Sequence, residues 1–314
     1  SHYQKISKLH SGNFINWFVK VLPVINNLPD IFHIQWAKSL YDWFFLKELF
    51  GVKIVLSLRG AHINYSPLAD EELAENFRDL FPKVDRFHAV SEAIGVEAKK
   101  YGAMEKKIEV IYSAVDIKRL EYYKKSNWIT NNKFRFISVG RYHWKKGYQY
   151  ALKAVQQLLE ENIPIEYAIV AKDNPSEEIL YIIKDLAIGN HVTFLHGANQ
   201  KTVYRYMNSS DCLLLPSVEE GIANVVMEAM CIGLPVISSD CGGMEELIGG
   251  KNIGLLFNSR DVESLVDKMK KMLNYSYRER QDIAGNANRL IKGKHNIQRL
   301  GKDMVKLYHS IYNL

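Results

Sequence analysis

The sequence predicts an α/β protein with two parallel sheets that face each other across a cleft. Short β-branched segments alternate with longer helical segments along most of the 314 residues, which is typical of parallel sheets built from strand–helix units. The alternation stops in the polar stretch 113–133 and then resumes, so we expect two sheets, and the chain length also favours two domains. Ligands of such sheets lie beyond the carboxyl ends of the strands.

The positions of these segments set the expected domain boundaries. We predict strands at residues 31–36, 53–60, 86–90, 107–112, 134–140, 165–171, 192–197, 212–217, 235–239 and 254–257. Helical patterns occupy residues 38–51, 70–81, 92–101, 147–161, 176–188, 200–209, 224–232 and 243–249, and begin again at 261 and 278. The resulting division is an N-terminal domain (1–116), a linker (117–133), a C-terminal domain (134–298) and a terminal helix (299–314), which we expect to pack back on the first domain.

The composition is that of an ordinary soluble globular protein, with 47% hydrophobic and 24% charged residues. No apolar stretch approaches the roughly 18–20 residues of a membrane span, and the polar segment 1–13 lacks the apolar core of a signal peptide. The three cysteines, Cys212, Cys231 and Cys241, lie in apolar settings without C-x-x-C pairing. They predict reduced, buried thiols in a cytoplasmic protein and no zinc site.

The net charge and the distribution of basic residues indicate which classes of partner to expect. A net charge of +6 fits anionic ligands in general, or simply a solvated lysine-rich surface. The aromatic stretches 14–24 and 41–50 carry lysines and allow peripheral contact with the inner face of a membrane, although packing on the first sheet is the simpler interpretation. Basic residues are dispersed, so no nucleic-acid partner is predicted.

Two carboxylates, Glu220 and Glu228, stand eight positions apart in the stretch EEGIANVVMEAMCIGLPVISSDCGG. We expect Glu220 in the loop after a strand, and Glu228 about one turn inside the helix that begins at Asn224, a good N-cap. The unpaired amides of residues 222–225 would point into the same pocket, and Gly221 would let a ligand approach the backbone. Such a pocket would bind an anion at the helix end and one hydroxyl-rich group at each carboxylate. A nucleotide sugar has this layout, with a diphosphate between a ribose and a hexose.

The spacing of the two acids is weak evidence alone, because a solvated loop carboxylate and an outward-pointing helical one have the same pattern. Two neighbouring stretches strengthen it. In SVGRYHWKKG (138–147), Arg141 and Lys146 follow a strand and can neutralise a diphosphate. In DCGGMEE (240–246), a glycine turn places Glu246 at the start of the next helix.

With these stretches, the chain resembles a retaining glycosyltransferase of the GT-B group that includes glycosyltransferase family 4. The matching segments are SVGRYHWKKG, LLLPSVEEGIANVVMEAMCIGLPVISSDCGGMEELI, NIGLLF, FHAVSEAI and KIEVIYSAVD, which together cover most of residues 31–260. The resemblance implies two Rossmann-like domains, three catalytic residues and eight donor-binding residues. The catalytic residues are Glu220, Arg141 and Lys146, and the donor-binding residues are Gly140, Gly221, Ile222, Ala223, Asn224, Val225, Glu228 and Arg59.

The resemblance also implies a role for each side chain. Arg141 and Lys146 would hold the donor diphosphate, Glu220 the sugar hydroxyls and Glu228 the ribose. The implied reaction moves a hexosyl group to a glycan or lipid-linked acceptor in surface polysaccharide assembly, with retained anomeric configuration. The nucleotide diphosphate departs and the acceptor attacks from the same face, without a side-chain nucleophile. The nucleotide sugar is a co-substrate, and no cofactor or metal is expected, since no D-x-D occurs.

Three features depart from that family. Relatives normally open with a glycine-rich loop, which nothing here matches, so two or three opening strand–helix units are expected to be missing. Strand 31–36 would then be a sheet edge, open to self-association. Arg59 stands where many relatives have a histidine, and either Arg59 or His62 could line the donor sugar. The stretch 169–175 lacks the relatives' glycine pair.

Two other functions stay open. The chain could be a catalytically incomplete nucleotide-sugar-binding fragment, which the missing units favour. It could also be a nucleotide-sugar 2-epimerase of the same fold, although the E-x7-E pattern with its upstream cations favours the transferase. Transfer to an acceptor, nucleotide binding alone and release of an epimerised nucleotide sugar would distinguish the three. We expect nucleotide binding through residues 134–260 and little sugar transfer by this chain alone.

Overall fold

The structure, a computed structural model, describes residues 14–126, 128 and 132–312. Within these residues it contains two parallel sheets, of four and six strands, which confirms the predicted α/β fold. Every strand lies inside its predicted segment and is shorter. In most of them the lost residues are at the carboxyl end, where the chain leaves the ladder to form the loops of the cleft, whereas β9 and β10 each lose one residue at the amino end.

The first sheet has the order β1-β2-β3-β4. Its strands are β1 (Ile31–Ile34), β2 (Lys53–Leu58), β3 (Arg86–Ala89) and β4 (Ile108–Val110). Its helices are α1 (Phe14–Ile25), α2 (Leu40–Trp43), α3 (Phe45–Phe50), α4 (Ala61–Asn64), α5 (Ser66–Ala69), α6 (Glu71–Leu80) and α7 (Glu92–Lys99). Alternate residues of β2 are buried on opposite faces, Leu56 on one and Val55 on the other, so both faces of the sheet are covered.

The predicted helix 38–51 is wrong as a single element. A 3-10 turn (Ala37–Ser39) leads into α2, and Phe44 separates α2 from α3. The adjacent aromatic residues belong to different cores: Phe44 packs with the first sheet, whereas Phe45 packs with Val21 of α1. Phe44 keeps helical dihedral angles, φ −65° and ψ −23°, so the break between α2 and α3 interrupts the helical hydrogen bonds without reversing the direction of the chain.

The second sheet has the order β10-β9-β8-β5-β6-β7. Its strands are β5 (Phe134–Val139), β6 (Ile165–Val170), β7 (Val192–Leu195), β8 (Cys212–Leu215), β9 (Val236–Ser239) and β10 (Leu255–Phe257). The helices of this half are α8 (Ile117–Glu121), α9 (Tyr148–Glu160), α10 (Glu177–Asp185), α11 (Gln200–Ser209), α12 (Asn224–Ile232), α13 (Met244–Ile248), α14 (Val262–Asn274), α15 (Tyr277–Lys294) and α16 (Ile297–His309). The three cysteines are free and buried, as predicted.

Two local expectations in this half are wrong. Asn224 is the first residue of α12, and Ala223 is its N-cap, without a side-chain cap. The exposed Asn224 side chain is therefore free for a ligand. The stretch expected as an irregular linker contains α8, which Asp116 caps at the amide of Arg119. The buried Leu120 anchors α8 on the second core. Residues 127 and 129–131 of this stretch lie outside the described residues.

The last helix, α16, packs on the first sheet. Its Leu307, with Ile311 just beyond, contacts Val55 and Ile111. Arg86 fixes the end of the helix, because its guanidinium donates to the hydroxyl of Ser310 at 2.9 Å and to the carbonyl at 3.0 Å. The chain therefore crosses from the second domain back to the first. Of the helices that the structure describes, none is both long and apolar enough to cross a membrane.

A continuous chain of hydrogen bonds crosses the first sheet from α16. The Tyr308 hydroxyl lies 2.8 Å from His33 Nδ1, and His33 Nε2 lies 2.8 Å from Ser57 Oγ. Ser57 Oγ lies 2.9 Å from His88 Nδ1, and His88 Nε2 lies 2.9 Å from the carbonyl of Ile111. Because that carbonyl can only accept, His88 Nε2 carries a proton, and each preceding group donates toward it. With both histidines neutral every group in the chain has a partner, whereas protonating both would leave Ser57 Oγ facing two N–H donors.

The fold should therefore lose stability in mild acid. Burial, with smaller contributions from His88 and Arg59, lowers the pKa of His33 to about 4, against about 6.5 in an unfolded chain. The unfolded state binds more protons between these values, so this stability is fully present above pH 6.5 and falls until pH 4. The difference corresponds to roughly 3 kcal/mol at most. Urea unfolding at pH 7.5 and 4.5 measures it.

The matched variants for that measurement are His33→Gln and His196→Gln, whose parent residue is exposed. We expect His33→Gln to flatten the dependence of the unfolding free energy on pH, and His196→Gln to leave it as in the wild type. An unchanged dependence in His33→Gln would contradict the assignment to the buried hydrogen-bond chain.

Candidate functional site

Residues from both domains line one cavity of about 320 Å³ at the carboxyl ends of the two sheets. Its lining residues are Trp36, Arg59, Gly60, His62, Val90, Ser113, Arg141, Lys145, Glu220, Gly221, Ile222 and Asn224. Six of the predicted site residues are among them, and Lys146 contacts Glu220 directly. A larger cavity, of about 450 Å³, lies at residues 115–118 and 292–298. Only the cleft cavity joins the two sheet ends, so the candidate site is there.

The loop after β5 presents the two predicted cations. A 3-10 turn (Trp144–Lys146) is closed by His143, whose ring accepts from the amide of Lys145 at 3.3 Å. Gly147 then adopts a left-handed conformation at φ 64°. A Cβ atom there would lie 1.9 Å from the carbonyl oxygen of Pro216. Only glycine lets this loop pack against the one after β8, which brings Lys146 to Glu220.

Glu220 is held in place before any ligand binds. The ammonium of Lys146 pairs with Oε1 of Glu220, and both side chains are mostly buried, at 17% and 16% exposure. The hydroxyl of Ser217 donates to the same oxygen at 3.1 Å. Sequence analysis missed Ser217, although its place at the end of a strand was the available signal. Oε2 is the oxygen left for a ligand.

Arg141 and Lys145 are the cations beside this pair. Arg141 is exposed, and within the described residues no carboxylate lies within ion-pair distance of it or of Lys145. The ammonium of Lys145 lies 6.0 Å from the Tyr65 ring of the first domain. Burial lowers the pKa of Lys145, opposed in part by Glu220. The sequence analysis did not select Lys145. The sequence alone does not show that the 3-10 turn directs the side chain of Lys146, rather than that of Lys145, to Glu220.

Glu228 contacts α11 and is not among the residues that line this cavity. Its Oε1 accepts from the Tyr204 hydroxyl at 3.0 Å and from Gln200 at 3.4 Å. Burial raises the pKa of Glu228, whereas these two hydrogen bonds lower it. The alternative of a solvated, outward-pointing Glu228 therefore does not hold. One carboxylate oxygen is occupied and the other is available.

The other predicted residues have supporting positions. Gly140 follows β5, and its carbonyl accepts from the Tyr148 hydroxyl at 2.9 Å. A Cβ atom at Gly140 would lie 3.2 Å from Cε of Lys146, so the glycine makes room for that side chain. Ala223 is buried and Val225 is half-buried. At the start of α12 these two residues therefore offer a ligand their backbone rather than their side chains.

Glycines form the contact between the two domains. A Cβ atom at Gly60 would lie 3.0 Å from the amide nitrogen of Gly221. On the far side of the same loop, the amide of Gly243 donates to the carbonyl of Gly221 at 2.7 Å. A Cβ atom at Gly242, which has φ 56°, would lie 1.7 Å from the carbonyl oxygen of Glu220. The backbone of the Glu220 loop therefore lies between Gly60 on one side and Gly242 and Gly243 on the other. A side chain at any of these three glycines would come too close to that backbone.

Glu246 also joins the domains. Its two carboxylate oxygens accept from the amides of Glu92 and Ala93, each at 2.9 Å. These amides form the first turn of α7, where the helix dipole favours a negative charge. The sequence placed Glu246 at the start of its own helix. It did not indicate that the side chain reaches the other domain.

Arg59 and His62, the two candidates for the missing histidine, both line the cavity from the first domain. Arg59 donates to the side-chain oxygen of Gln35 at 2.8 Å and lies 5.9 Å from the centre of the Trp36 ring. The His62 ring lies 5.1 Å from the same ring. Neither touches Glu220, so the choice between them stays open. In the described part of the chain, no group of three or more His, Cys, Asp or Glu side chains is placed to hold a metal ion.

Two parallel α/β sheets with a ligand cleft between their carboxyl ends define the GT-B class of glycosyltransferases. The family described as "Glycosyl transferases group 1" matches residues 121–290, and "Glycosyltransferase Family 4" matches residues 7–119. The first match alone covers more than half of the chain. The chain therefore belongs to the group 1 glycosyl transferases.

Two curated relatives show how much of such a protein is present. The chain is 25% identical over 218 residues to the uncharacterized glycosyltransferase MJ1607 of Methanocaldococcus jannaschii, covering 66% of this chain and 55% of that protein. It is 25% identical over 275 residues to the putative colanic acid biosynthesis glycosyltransferase WcaL of Escherichia coli K12, covering 85% and 67%. The chain thus spans little more than half of one relative and two thirds of the other.

Solved structures share the fold. Sucrose-phosphate synthase from Thermosynechococcus elongatus superposes with a TM-score of 0.82 at 16% identity, covering 97% of this chain and 80% of that one. Anabaena Alr3699/HepE in complex with UDP superposes with a TM-score of 0.80 at 21% identity, covering 92% and 82%. At these identities the likeness establishes the fold alone.

Proposed function

We propose that this chain is the sugar-transferring part of a retaining, metal-independent glycosyltransferase. It would move a hexosyl group from a nucleotide-diphosphate sugar to a glycan or lipid-linked acceptor in surface polysaccharide assembly. The observation that carries the proposal is the pairing of Glu220 with Lys146 beside the unpaired Arg141, at the start of α12. The names of WcaL and of the UDP complex of HepE support the polysaccharide and nucleotide assignments.

The roles follow from the contacts. Arg141 and Lys146 bind the diphosphate, and Lys146 does so without leaving Glu220, since an ammonium has three protons to donate. The amides at the start of α12 donate hydrogen bonds to a phosphate oxygen. Glu220 binds sugar hydroxyls through its free oxygen, and Glu228 binds the ribose. As the bond from the anomeric carbon to the diphosphate breaks, these cations stabilise the leaving charge. The acceptor hydroxyl bonds to that carbon from the same face and passes its proton to the leaving phosphate.

We expect Glu220 to contribute to binding of the donor sugar and Glu228 to binding of the nucleotide. We expect Glu228→Gln to weaken UDP and UDP-glucose alike, since the ribose is common to both. Glu220→Gln should weaken UDP-glucose more than UDP, because the hydroxyls that it binds are absent from UDP. Calorimetric titration of both ligands measures this. Glu160→Gln on α9, whose carboxylate accepts an exposed hydrogen bond from Gln156, is the control and should match the wild type.

Product analysis tests the reaction itself. The chain, and a longer form that includes the opening strand–helix units expected from the resemblance, are each incubated with a panel of nucleotide sugars and lipid-linked or glycan acceptors. Products are identified by mass spectrometry and by NMR at the anomeric carbon. A glycoside with the donor's configuration supports the proposal, and an inverted one refutes retention. Nucleotide binding without transfer in every combination would identify a binding fragment. An epimerised nucleotide sugar would identify the epimerase.

A further inference from the structure

The first domain brings Trp36, Arg59 and His62 to the cavity, opposite the second-domain loop that carries Arg141 and Lys146. The resemblance implied a donor-binding role for Arg59, and the contacts of its guanidinium favour a different one. We define the acceptor wall as Trp36, Lys38, Arg59 and His62. Arg59 turns away from the second domain, since its guanidinium contacts Gln35 and lies over the Trp36 ring. The cations Arg141 and Lys146 lie on the other side of the cavity, in the loop after β5. The two groups of cations are thus carried by different domains.

The acceptor wall carries positive charge that the protein does not neutralise. In the part of the chain that the structure describes, no carboxylate lies within ion-pair distance of Arg59, Lys38 or Lys145. Buried Nε of Arg59 and buried Nδ1 of His62 have no hydrogen-bond partner there either. Burial, followed by the positive charges of Lys38 and Lys145, lowers the pKa of His62. A partly buried guanidinium without a counter-charge is costly, and a bound anion would offset that cost.

A donor diphosphate does not account for this charge. Its two phosphates bring two negative charges and Glu220 brings a third, and the loop after β5 supplies three cations for them, Arg141, Lys145 and Lys146. The carboxylates nearest to the cavity are already engaged, Glu220 with Lys146 and Glu219 with the amide of Asn64. The acceptor wall therefore keeps its excess of cations when the donor is in place.

An aromatic surface lies beside these cations. Trp36 is 51% exposed, so part of its indole ring is open to a ligand. The Arg59 guanidinium lies 5.9 Å from its ring centre, and the His62 ring lies 5.1 Å away. An indole face can pack against the apolar face of a sugar ring while cations at its edge bind a charged substituent.

We propose that the acceptor wall binds an acceptor sugar that carries a negatively charged group, a carboxylate or a phosphoryl group. The inference rests on the proposed function, because it takes the opposite wall as the donor site. Trp36 receives the ring, and Lys38, Arg59 and His62 bind the anion. The same arrangement selects against neutral sugars, which would leave the partly buried guanidinium without a counter-charge.

NMR titration of the chain with three small probes tests this. The probes are methyl β-glucuronide, glucose 1-phosphate and methyl β-glucoside, each added with and without UDP. We expect at least one charged probe to bind about tenfold more tightly than the neutral glucoside at low salt, since charge-assisted hydrogen bonds are the strong ones. The tighter of the two charged probes identifies the group as carboxylate or phosphoryl. Equal affinity for all three probes would overturn the inference.

Variants identify the residues that distinguish charged probes from the neutral one. Arg59→Gln should remove most of the preference for charged probes without changing the affinity for the glucoside, and Arg59→Lys should restore part of it. Trp36→Leu should weaken all three probes. Arg78→Gln, which loses an exposed pair with Glu71, is the control. If Arg59→Gln fails to fold, Lys38→Gln replaces it, since Lys38 is exposed. Equal losses for charged and neutral probes in these charge variants would mean a structural role only and refute the inference.

The two proposals fail separately. Binding of UDP without any preference for charged glycosides leaves the donor site standing and removes the acceptor inference. A preference for charged glycosides without binding of UDP supports the acceptor wall and refutes the assignment of the donor site.

Discussion

Lys146→Ala is expected to lower the affinity for UDP at least about tenfold and to destabilise the fold at the same time. Each charge-assisted contact to a phosphate is worth roughly 1.5–3 kcal/mol, and this variant removes one. Among the described residues it also leaves Glu220, whose side chain is 16% exposed, with a single remaining hydrogen-bond partner, the Ser217 hydroxyl. An unpaired, mostly buried carboxylate costs roughly another 1–3 kcal/mol. Calorimetry measures the affinity, and urea unfolding measures the stability.

Arg141→Ala separates the two effects. Arg141 is exposed and has no carboxylate partner in the described residues, so its loss should reduce UDP affinity by a similar factor and leave the unfolding free energy unchanged. Lys270→Ala, which removes an exposed pair with Glu161, should change neither by much. Wild-type UDP affinity in both Lys146→Ala and Arg141→Ala would remove these residues from the diphosphate site.

Gly242→Ala is expected to abolish measurable binding of a nucleotide sugar. Its new Cβ atom would lie 1.7 Å from the carbonyl oxygen of Glu220, at a left-handed φ of 56°. The loop that carries Glu220 would have to move away from Lys146, so both the sugar contact and the diphosphate contact would be lost. The left-handed conformation alone costs alanine roughly 1–2 kcal/mol. Titration with UDP-glucose and urea unfolding measure the two consequences.

Gly285→Ala is the matched control for that substitution. Gly285 lies inside α15, where no atom comes within 4 Å of an added Cβ. Alanine there should raise stability by up to about 1 kcal/mol, because glycine loses more conformational freedom in a helix. Gly242→Ala with wild-type affinity for UDP-glucose would show that the close approach to Glu220 is not needed for binding.

The order of elements could be read from local patterns. Each β-branched segment became a strand, and α11 and α12 have the predicted bounds. Local sequence also placed Glu220 in a loop after a strand, because a strand, a glycine and a helical pattern follow one another there. The patterns failed at residues 38–51, where Phe44 and Phe45 enter different cores. They failed also in the expected linker, where the single buried Leu120 holds a helix too short to show a period.

The sequence by itself determined the two parallel sheets, their strands and the loops that carry Arg141, Lys146 and Glu220, since periodicity and turn residues are local properties. Only the tertiary structure decided which of these groups touch. The pairing of Lys146 with Glu220, the reach of Glu246 to α7 and the chain from Tyr308 to His88 each join residues far apart in sequence. Such contacts depend on how the sheets pack and how the domains close. Those are set by burial and shape across the whole molecule, so no local pattern records them.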